Sequence, residues 1–345
     1  MRYPNIAILG ATGVVGSEIL NILGELEVPF NSLKLLSSAR SAGKEIEFKG
    51  KKYTVEEATP NVFDGVDLVL ASAGASSSKL FAPEIVKRGG VIVDNSSAFR
   101  MDKDVPLVIA GVNDDDLKNH KGIVANPNCS TSQLMLPLKP LHDYATIKRL
   151  IVSTYQAVSG AGKAAMDELM ENTKAAVSCE AFENKVFNKQ IAFNVIPQID
   201  VFVENDYTKE EMKVNLETKK ILHLPSDTPI SCTAIRIPVF VGHSESVTVE
   251  FEKPITAAKA RELMANAYGV EIVDNPANRE YPTPLECAGK DPVYVGRIRK
   301  DLAFDNAISM WVVADNLRIG AALNTVRIAK KLIEMSLVGQ GHPEN

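Results

Sequence analysis

The sequence lacks the features that mark disulfide-rich, metal-binding, membrane-spanning and nucleic-acid-binding proteins. Its 345 residues include four cysteines without a C-x-x-C pair, so neither a zinc site nor a disulfide framework is indicated. The net charge is a mild −5, and no long Lys/Arg run suggests a nucleic-acid partner. No apolar run approaches a membrane span, and no signal peptide opens the chain. We therefore expect a cytoplasmic protein with no metal, membrane or nucleic-acid partner.

What the sequence does contain is the composition of a globular protein large enough for two domains. Apolar residues make up 45% and charged residues 23%. Before about residue 125, short apolar runs alternate with helix-like stretches, and these runs lie at residues 6–9, 33–36, 68–71, 91–93 and 107–109. This βαβ rhythm predicts an α/β fold of the Rossmann type, with a parallel sheet and helices on both faces.

The pattern changes after residue 150. Longer alternating strands at 233–240 and 246–251, with helices near 163–176 and 256–268, predict an α+β second domain, and residues 180–189 are expected to form a surface loop. A helix at about 320–335 follows a strand at 309–314. If that helix packs back onto the first domain, the first domain is discontinuous.

A glycine-rich turn follows the first strand. After Leu9 come, in order, Gly10, Ala11, Thr12, Gly13, Val14, Val15 and Gly16. This is a G-x-x-G-x-x-G variant of the dinucleotide fingerprint, in which glycines let the backbone approach a pyrophosphate at the positive end of a helix. The alternative is a plain strand-to-helix turn.

The end of the second strand bears on which nicotinamide cofactor binds. An NAD site usually has a carboxylate there for the ribose 2′-hydroxyl, whereas this chain has Ser37, Arg40 and Ser41 and no carboxylate. A guanidinium with flanking hydroxyls suits a 2′-phosphate, so we predict NADP rather than NAD. The alternative is that Arg40 is an ordinary solvated charge.

One cysteine has the position expected of a nucleophile. Cys129 follows a strand predicted at residues 122–125 and should begin a helix, whose dipole would stabilise the thiolate and whose N–H groups could hold an oxyanion. A cysteine is more often an inert buried residue. That is our interpretation of the other three, which are Cys179, Cys232 and Cys287.

A thiolate needs a partner that handles protons, and His243 is the candidate. It lies in a G-H-S-E segment after the strand predicted at 233–241, and an imidazole titrates near neutrality. The remaining histidines are interpreted as solvated or packing residues: His120, His142, His223 and His342.

The motif N-P-N-C-S-T at residues 126–131 resembles the aspartate-semialdehyde dehydrogenase family, and the resemblance extends over essentially the whole chain. Further matching segments are residues 10–16, 37–43, 94–100 (D-N-S-S-A-F-R), 153–162 (S-T-Y-Q-A-V-S-G-A-G), 191–200, 210–222 and 242–246. The forms E-E-M-K, G-H-S-E-S and V-G-R-I-R look like the common bacterial branch.

The resemblance implies a role for each matching residue of the substrate site. Cys129 would be the thioester nucleophile, His243 the acid/base catalyst, and Gln156 the residue that orients the substrate. The implied substrate-binding residues are Arg236 for the α-carboxylate, Arg100 and Lys213 for the phosphate, and Glu210 for the amino end. Without the resemblance, Glu210 and Lys213 would be interpreted as an exposed helical ion pair, and Arg236 as an outward side chain of a strand.

The resemblance also implies the remaining cofactor residues, the domain boundaries and the assembly. Ser159 and Gly160 would lie near the nicotinamide, and Asn316 would bond its amide. Residues 1–128, completed by 315–345, would bind NADP. Residues 129–314 would form a catalytic and dimerisation domain of the glyceraldehyde-3-phosphate dehydrogenase-like type, in a homodimer or sometimes a tetramer.

The implied reaction is NADPH-dependent reduction of L-4-aspartyl phosphate to L-aspartate 4-semialdehyde, at the branch towards lysine, threonine and methionine. Two alternatives stay open: N-acetyl-γ-glutamyl-phosphate reductase, disfavoured by Asn128 and Ser130, and a catalytically silent NADP-sensing protein. A structural oligomer with vestigial glycine turns is a third.

Overall fold

A computed structural model describes residues 3–339, which form two compact units. We call residues 3–128 and 321–339 the first unit, and Cys129–Gly320 the second unit. The chain therefore leaves the first unit at Cys129 and re-enters it at Ala321, six residues after the boundary expected from the sequence. Residues 340–345 of the expected C-terminal segment, including His342, lie outside the described residues.

The strands are β1 (Asn5–Leu9), β2 (Ser32–Ser37), β3 (Glu45–Phe48), β4 (Lys51–Glu57), β5 (Leu68–Ala71), β6 (Val91–Asp94), β7 (Ile123–Ala125), β8 (Ile147–Gln156), β9 (Ile230–Arg236), β10 (His243–Phe251), β11 (Val270–Ile272), β12 (Val293–Lys300) and β13 (Ala307–Ala314). The α-helices are α1 (Val14–Glu25), α2 (Ala75–Lys87), α3 (Cys129–Ala145), α4 (Lys163–Val177), α5 (Lys209–Ile221), α6 (Ala257–Ala265), α7 (Pro284–Cys287) and α8 (Leu323–Glu334).

The first unit contains a sheet in the order β3-β4-β2-β1-β5-β6-β7, parallel throughout except for the β3/β4 hairpin. Its central strands are buried on both faces, as a parallel sheet requires. Phe81 and Ile85 of α2 pack on the face that carries Ala7 and Val69. Helix α8 packs against α1 and over β5 and β6. The predicted α/β class is confirmed, and the carboxyl ends of the strands form the edge where such sheets bind ligands.

The second unit contains a mixed sheet in the order β11-β12-β13-β10-β8-β9. The central strand β10 pairs antiparallel with both β8 and β13, while β8 and β9 run parallel. Helix α3 packs against β8, β10, β12 and β13, and α5 packs against β9. The parallel pair brings the ends of β8 and β9 side by side, with Gln156 opposite Arg236.

Several predicted elements differ from those in the structure. Residues 107–109 do not form a strand, because Leu107 makes only an isolated bridge to Ala125. The hairpin β3/β4 was not predicted, since its charged sequence hides the alternation. Strand β9 ends at Arg236 rather than at 240, and β10 begins at His243 rather than at residue 246. Residues 180–189, predicted as a loop, contain no helix or strand.

Candidate active site

The glycine turn of the first unit leaves no room for a side chain at Gly10 or Gly16. Gly10 has φ +89°, and its N–H donates to the Leu36 carbonyl over 2.8 Å. A Cβ on Gly16 would lie 2.0 Å from the Gly10 carbonyl oxygen, a distance that no side chain tolerates. Gly13 caps α1 without any side-chain hydrogen bond. The first N–H groups of α1 thus have no side-chain cap and fit a phosphate, as the motif predicts.

A cavity of about 490 Å³ opens beside this turn. Its lining residues are Leu9, Gly10, Thr12, Gly13, Ser37, Ser38, Ala39, Glu57, Ala58, Ser72, Ala73, Ser77 and Phe81. The hydroxyls of Thr12 and Ser37 are 2.8 Å apart. Arg40 is exposed in a short 3-10 helix, Ala39–Ser41, that directly follows the lining residue Ala39.

The cavity is also lined by a carboxylate, that of Glu57, which was not expected from the sequence. No carboxylate follows β2 along the chain, but Glu57 ends the neighbouring strand β4 and pairs in register with Ser37. An acidic group near the ribose favours a free 2′-hydroxyl over a 2′-phosphate. A carboxylate therefore lines the same cavity as the Ser37 hydroxyl.

In the second unit, Cys129 is the first residue of α3, which confirms the predicted helix start. Its Sγ lies 3.3 Å from Nε2 of His243. The other ring nitrogen, Nδ1, accepts a hydrogen bond from the backbone N–H of Ala157 over 3.0 Å. The imidazole is fully buried, so these contacts fix its position against the sulfur.

Burial determines the charge state of His243. Desolvation by burial, reinforced by the Arg236 guanidinium and opposed by Glu210, lowers the pKa of His243 to about 3. Burial likewise lowers the pKa of Arg236, against the attraction of Glu210 and Cys129. The imidazole is therefore neutral near pH 7, while the arginine remains a cation because guanidinium groups keep their proton in proteins.

Gln156, at the end of β8, is held in one orientation by two neighbours. Thr154 Oγ1 donates to its Oε1 over 3.0 Å, and its Nε2 donates to Glu210 Oε1 over 3.1 Å. This Nε2 also lies 3.4 Å from Nε2 of His243. The amide nitrogen of Gln156 thus lies beside the same ring nitrogen of His243 that contacts the Cys129 sulfur.

Glu210 lies on the buried side of α5 and is ion-paired. Its Oε2 accepts from Lys213 Nζ over 3.0 Å, and the same ammonium donates to Asp200 Oδ2 over 3.0 Å. Burial alone would lower the pKa of Lys213, but the carboxylates of Glu210 and Asp200 outweigh burial and raise it. The interpretation of an exposed helical ion pair is wrong, because Glu210 is only 5% exposed.

Arg236, at the end of β9, is buried rather than outward-facing. Its Nη1 donates to the Ala157 carbonyl over 2.7 Å. A Cβ on Gly160 would lie 3.1 Å from that Nη1 and 3.3 Å from Nε2 of His243, so a glycine here leaves room for both groups. Asn316 donates to Ser159 Oγ over 3.0 Å and accepts from the Gly242 N–H over 2.9 Å. The same unit that contains Cys129 therefore also contains Ser159, Gly160 and Asn316.

Arg100 belongs to the first unit. Its Nε donates to the Asn126 carbonyl over 2.9 Å and its Nη2 to the Asn95 carbonyl over 2.8 Å. The Asn126 side chain accepts from Asn324 of α8 over 2.6 Å. The buried amide network thus orients the guanidinium and the chain segment that leads to Cys129.

Two residues of the Cys129 site were not expected from the sequence. Asp200, which holds Lys213, has a left-handed backbone with φ +68°. Gly320 lies in a π-helical turn, Arg318–Ala322, and a Cβ there would lie 2.7 Å from the Cys129 Cβ. π-helical turns often mark functional sites, but no sequence pattern indicates this one.

Among the described residues, no helix is long and apolar enough to span a bilayer.

Comparisons with known proteins identify the family of this chain. The model "Semialdehyde dehydrogenase, NAD binding domain" matches residues 5–120, and "Semialdehyde dehydrogenase, dimerisation domain" matches residues 138–319. Aspartate-semialdehyde dehydrogenase of Aquifex aeolicus is 53% identical over 339 residues, which are 96% of this chain and 99% of that protein.

Solved structures agree with this result. Aspartate semialdehyde dehydrogenase II from Vibrio cholerae, complexed with ASA, has a TM-score of 0.94 and 44% identity, covering 97% of this chain and 99% of that chain. The enzyme from Candida albicans with NADP has a TM-score of 0.76 and 26% identity, covering 97% and 99%. The first unit is thus a nicotinamide-dinucleotide-binding domain. The family predicted from the sequence is confirmed, and the chain belongs to the aspartate-semialdehyde dehydrogenase family of oxidoreductases.

Proposed function

We propose that this chain reduces L-4-aspartyl phosphate to L-aspartate 4-semialdehyde with NADPH, through a thioester on Cys129. The observation that carries the proposal is the 3.3 Å contact between Cys129 Sγ and His243 Nε2 at the start of α3. Gln156, Glu210 and Arg236 lie around this pair in the same unit. The product would feed lysine, threonine and methionine synthesis.

Three features favour Cys129 as a thiolate nucleophile. The N-terminus of α3 has partial positive charge, Arg236 is a nearby cation, and His243 contacts the sulfur. A thiolate attacks the acyl carbon, and the phosphate leaves. This covalent step replaces one difficult reduction by two easier reactions. His243 is the group that handles hydrogen bonding and protons at the sulfur.

The charged groups of the second unit suit the two ends of an amino-acid substrate. Arg236 would form a bidentate pair with the α-carboxylate, since a guanidinium fork matches that group. Glu210 would accept the α-ammonium. Gln156, fixed by Thr154 and Glu210, would orient the reacting carbonyl. The Vibrio cholerae relative, whose structure contains ASA, supports a small-molecule substrate of this class.

Arg100 and Lys213 are the proposed phosphate-binding groups. In the structure, Lys213 is shared between Glu210 and Asp200 at 3.0 Å each. We infer that the substrate ammonium takes over Glu210 and thereby releases part of the Lys213 charge for phosphate. Phosphate binding would then be stronger when the amino-acid part of the substrate is present.

The proposed cofactor is NADP, which supplies hydride when it is bound as NADPH. The turn with Gly10, Thr12, Gly13, Val14, Val15 and Gly16 would hold the pyrophosphate, with Ser37, Arg40 and Ser41 at the 2′-phosphate. Ser159, Gly160 and Asn316 would hold the nicotinamide. The Candida albicans relative, solved with NADP, supports this choice. The dimerisation-domain match supports a homodimer, or a tetramer built from it.

The test is the reverse reaction, in which aspartate semialdehyde reduces NADP and phosphate takes up the acyl group. We expect turnover that requires phosphate, prefers the four-carbon substrate over glutamate-semialdehyde analogues, and disappears in Cys129→Ala. Cys179→Ala is the matched control, because Cys179 lies outside the site and is exposed, contrary to the buried position expected from the sequence. Nucleotide binding without turnover would instead indicate a sensing protein. Preference for the longer acetylated semialdehyde would indicate N-acetyl-γ-glutamyl-phosphate reductase.

A further inference from the structure

Glu211 is a buried carboxylate of the second unit that the proposed reaction does not use. It directly follows Glu210 on α5 and is 8% exposed. Its Oε2 accepts from the backbone N–H of Thr208 over 2.6 Å, and its Oε1 accepts from the backbone N–H of Ala234 over 2.9 Å. One side chain therefore joins the start of α5 to strand β9.

The bond to Thr208 completes a capping box at the start of α5. The Thr208 hydroxyl accepts from the Glu211 N–H over 3.3 Å, and the Glu211 carboxylate accepts from the Thr208 N–H in return. The first N–H groups of a helix have no partner within it, so this reciprocal pair fixes the residue at which α5 begins. It therefore also fixes the places of Glu210 and Lys213 in the first turns.

A helix cap does not require the second bond of this carboxylate. Helix α6 of the same unit begins after Thr256, whose side chain accepts from the Lys259 N–H, and a lysine at that position cannot return a carboxylate bond. In α5 the capping box uses one oxygen of Glu211, while the other oxygen is bonded to a different element. The contact with Ala234 therefore indicates a role beyond starting the helix.

Strand β9 lies at the edge of its sheet, so one side of its backbone has no neighbouring strand. Side chains of α5 bond to that side at two places. Asn215 Nδ2 donates to the Ile230 carbonyl over 2.6 Å at the first residue of the strand. Glu211 accepts from the buried Ala234 N–H, two residues before Arg236. The bond made by Glu211 is therefore the one nearer to the Cys129 site.

The carboxylate links two groups that would bind the substrate. Glu210 immediately precedes Glu211 on α5, and Arg236 follows Ala234 by two residues on β9. The Arg236 backbone also exchanges hydrogen bonds of 2.8 and 3.0 Å with Ile196, which holds the end of the strand but does not involve α5. Glu211 therefore links the position of Glu210 to that of Arg236.

The two adjacent carboxylates have partners of different kinds. Each oxygen of Glu211 is bonded to a backbone N–H, and the N-terminus of α5 favours its negative charge. Glu210 instead accepts from two side chains, those of Gln156 and Lys213. A substrate ammonium can replace a side-chain partner by small movements of that side chain, whereas the backbone amides stay in place. Glu211 is therefore suited to hold the framework and Glu210 to bind a ligand.

We propose that Glu211 is a positioning residue of the substrate site, which sets the distance and orientation between Glu210 at the α-ammonium and Arg236 at the α-carboxylate. The inference rests on the proposed function, because it needs an α-amino acid as the substrate. Glu211 itself touches neither end of that substrate. Its loss should weaken substrate binding more than the chemical step, since Cys129 and His243 belong to α3 and β10.

The test is steady-state kinetics of the full chain in the reverse direction, comparing the parent with Glu211→Gln. The amide keeps one acceptor oxygen but turns an NH₂ group towards the other N–H, so one of the two bonds is lost. We expect the KM for aspartate semialdehyde to rise about tenfold, while kcat falls by less than about threefold, because the lost interactions are those of ground-state binding. An unchanged KM in an active Glu211→Gln variant would overturn the proposal.

Asn215→Ala is the matched control, because it removes the other bond from α5 to the edge of β9. Its partner Ile230 lies six residues before Arg236, so we expect lower stability in urea unfolding with a KM within about twofold of the parent. An equal rise in KM in Asn215→Ala and Glu211→Gln would overturn the proposal, since any loosening of the helix would then have the same effect.

Glu211→Asp separates geometry from charge. Aspartate keeps the negative charge, but its shorter side chain cannot reach both N–H groups, so its KM should rise as in Glu211→Gln. A KM like that of the parent would show that the charge acts rather than the position, and loss of folding in both variants would show a purely structural role. Either result would overturn the proposal. A parent without turnover would instead contradict the proposed function itself, so the two failures are distinguishable.

Discussion

The nucleotide turn of the first unit lies within residues 10–16, whereas the Cys129 site collects side chains from α3, β8, α5, β9 and β10. The turn works through backbone N–H groups and depends on the absence of side chains at its glycines. The Cys129 site works through side chains, each oriented by a neighbour from another element. Nucleotide binding at the turn should therefore be lost when a methyl group is added to a crowded glycine. Activity at the Cys129 site should be lost when a neighbour of the cysteine moves.

The largest effect is expected for Gly16→Ala. Its Cβ would lie 2.0 Å from the Gly10 carbonyl oxygen, so the turn cannot keep its shape. We expect NADP binding to be lost and the first unit to be destabilised by about 3 kcal/mol or more. Binding calorimetry and urea unfolding measure the two effects. Gly13→Ala is the matched control for the unfolding measurement, because its Cβ contact is 3.4 Å and its φ of −81° suits alanine. An equal loss of stability in both variants would contradict this account of the turn.

Gly320→Ala tests the Cys129 site in the corresponding way. The added Cβ would lie 2.7 Å from Cys129 Cβ and 3.0 Å from its Cα, so the nucleophile must shift. Since a misplacement of about 1 Å can cost 10²-fold, we expect kcat to fall by roughly that factor.

NADP binding should be retained in Gly320→Ala, because the nucleotide turn belongs to the other unit. Steady-state kinetics and the alkylation rate of Cys129 measure the effect. Unchanged kcat with an unchanged alkylation rate would mean that the neighbouring backbone yields and that Cys129 does not move.

Cofactor choice is expected to show a smaller effect, because it depends on exposed charges. Arg40→Ala should lower kcat/KM for NADPH relative to NADH by about tenfold, as a charge-assisted pair with the 2′-phosphate is lost. Glu57→Gln should change the ratio in the opposite direction, since a carboxylate in the same cavity repels that phosphate. Kinetics with both cofactors give the ratios. If Arg40→Ala leaves the ratio unchanged, Arg40 is the solvated charge of the alternative interpretation.

The contrast between a turn formed by consecutive residues and a site assembled from distant elements explains how much of each could be predicted from the sequence. The glycine turn and Cys129 were found from residues alone, because each lies within a few residues of the end of a strand of the first sheet. The meeting of Gln156, Glu210 and Arg236 depends on strand pairing over long separations, and only the family resemblance indicated it.

Other features left no local signal in the sequence. Gly320 lies next to Cys129 although the two residues are far apart along the chain. Glu57 lies next to Ser37 only because the unpredicted strand β4 pairs with β2. The donation from the Ala157 N–H to His243 is a backbone contact, so residue types carry no information about it. Sequence patterns therefore identified single functional residues, whereas the residues that lie next to them in space could be identified only from the structure.

The last prediction concerns stability rather than activity, at Glu245, which follows His243 by two residues on β10. The side chain is fully buried, and neither carboxyl oxygen has a hydrogen-bond partner among the described residues. Burial raises the pKa of Glu245 well above its ordinary value, and nearby Gln133 only partly opposes this shift. Above the ordinary carboxyl pKa of about 4.3, the folded protein therefore binds more protons than the unfolded chain, and the free energy of unfolding falls as pH rises.

Glu245→Gln removes this titration while it keeps the shape of the side chain. We expect the variant to become more stable than the parent as pH rises above about 4.5, with a difference that grows by at most about 1.4 kcal/mol per pH unit. Urea unfolding near pH 5, 6 and 7 measures the difference. His243 has a lowered pKa and contributes the opposite slope, but it is present in both proteins and cancels. A difference independent of pH would mean that Glu245 is ionised in the folded protein.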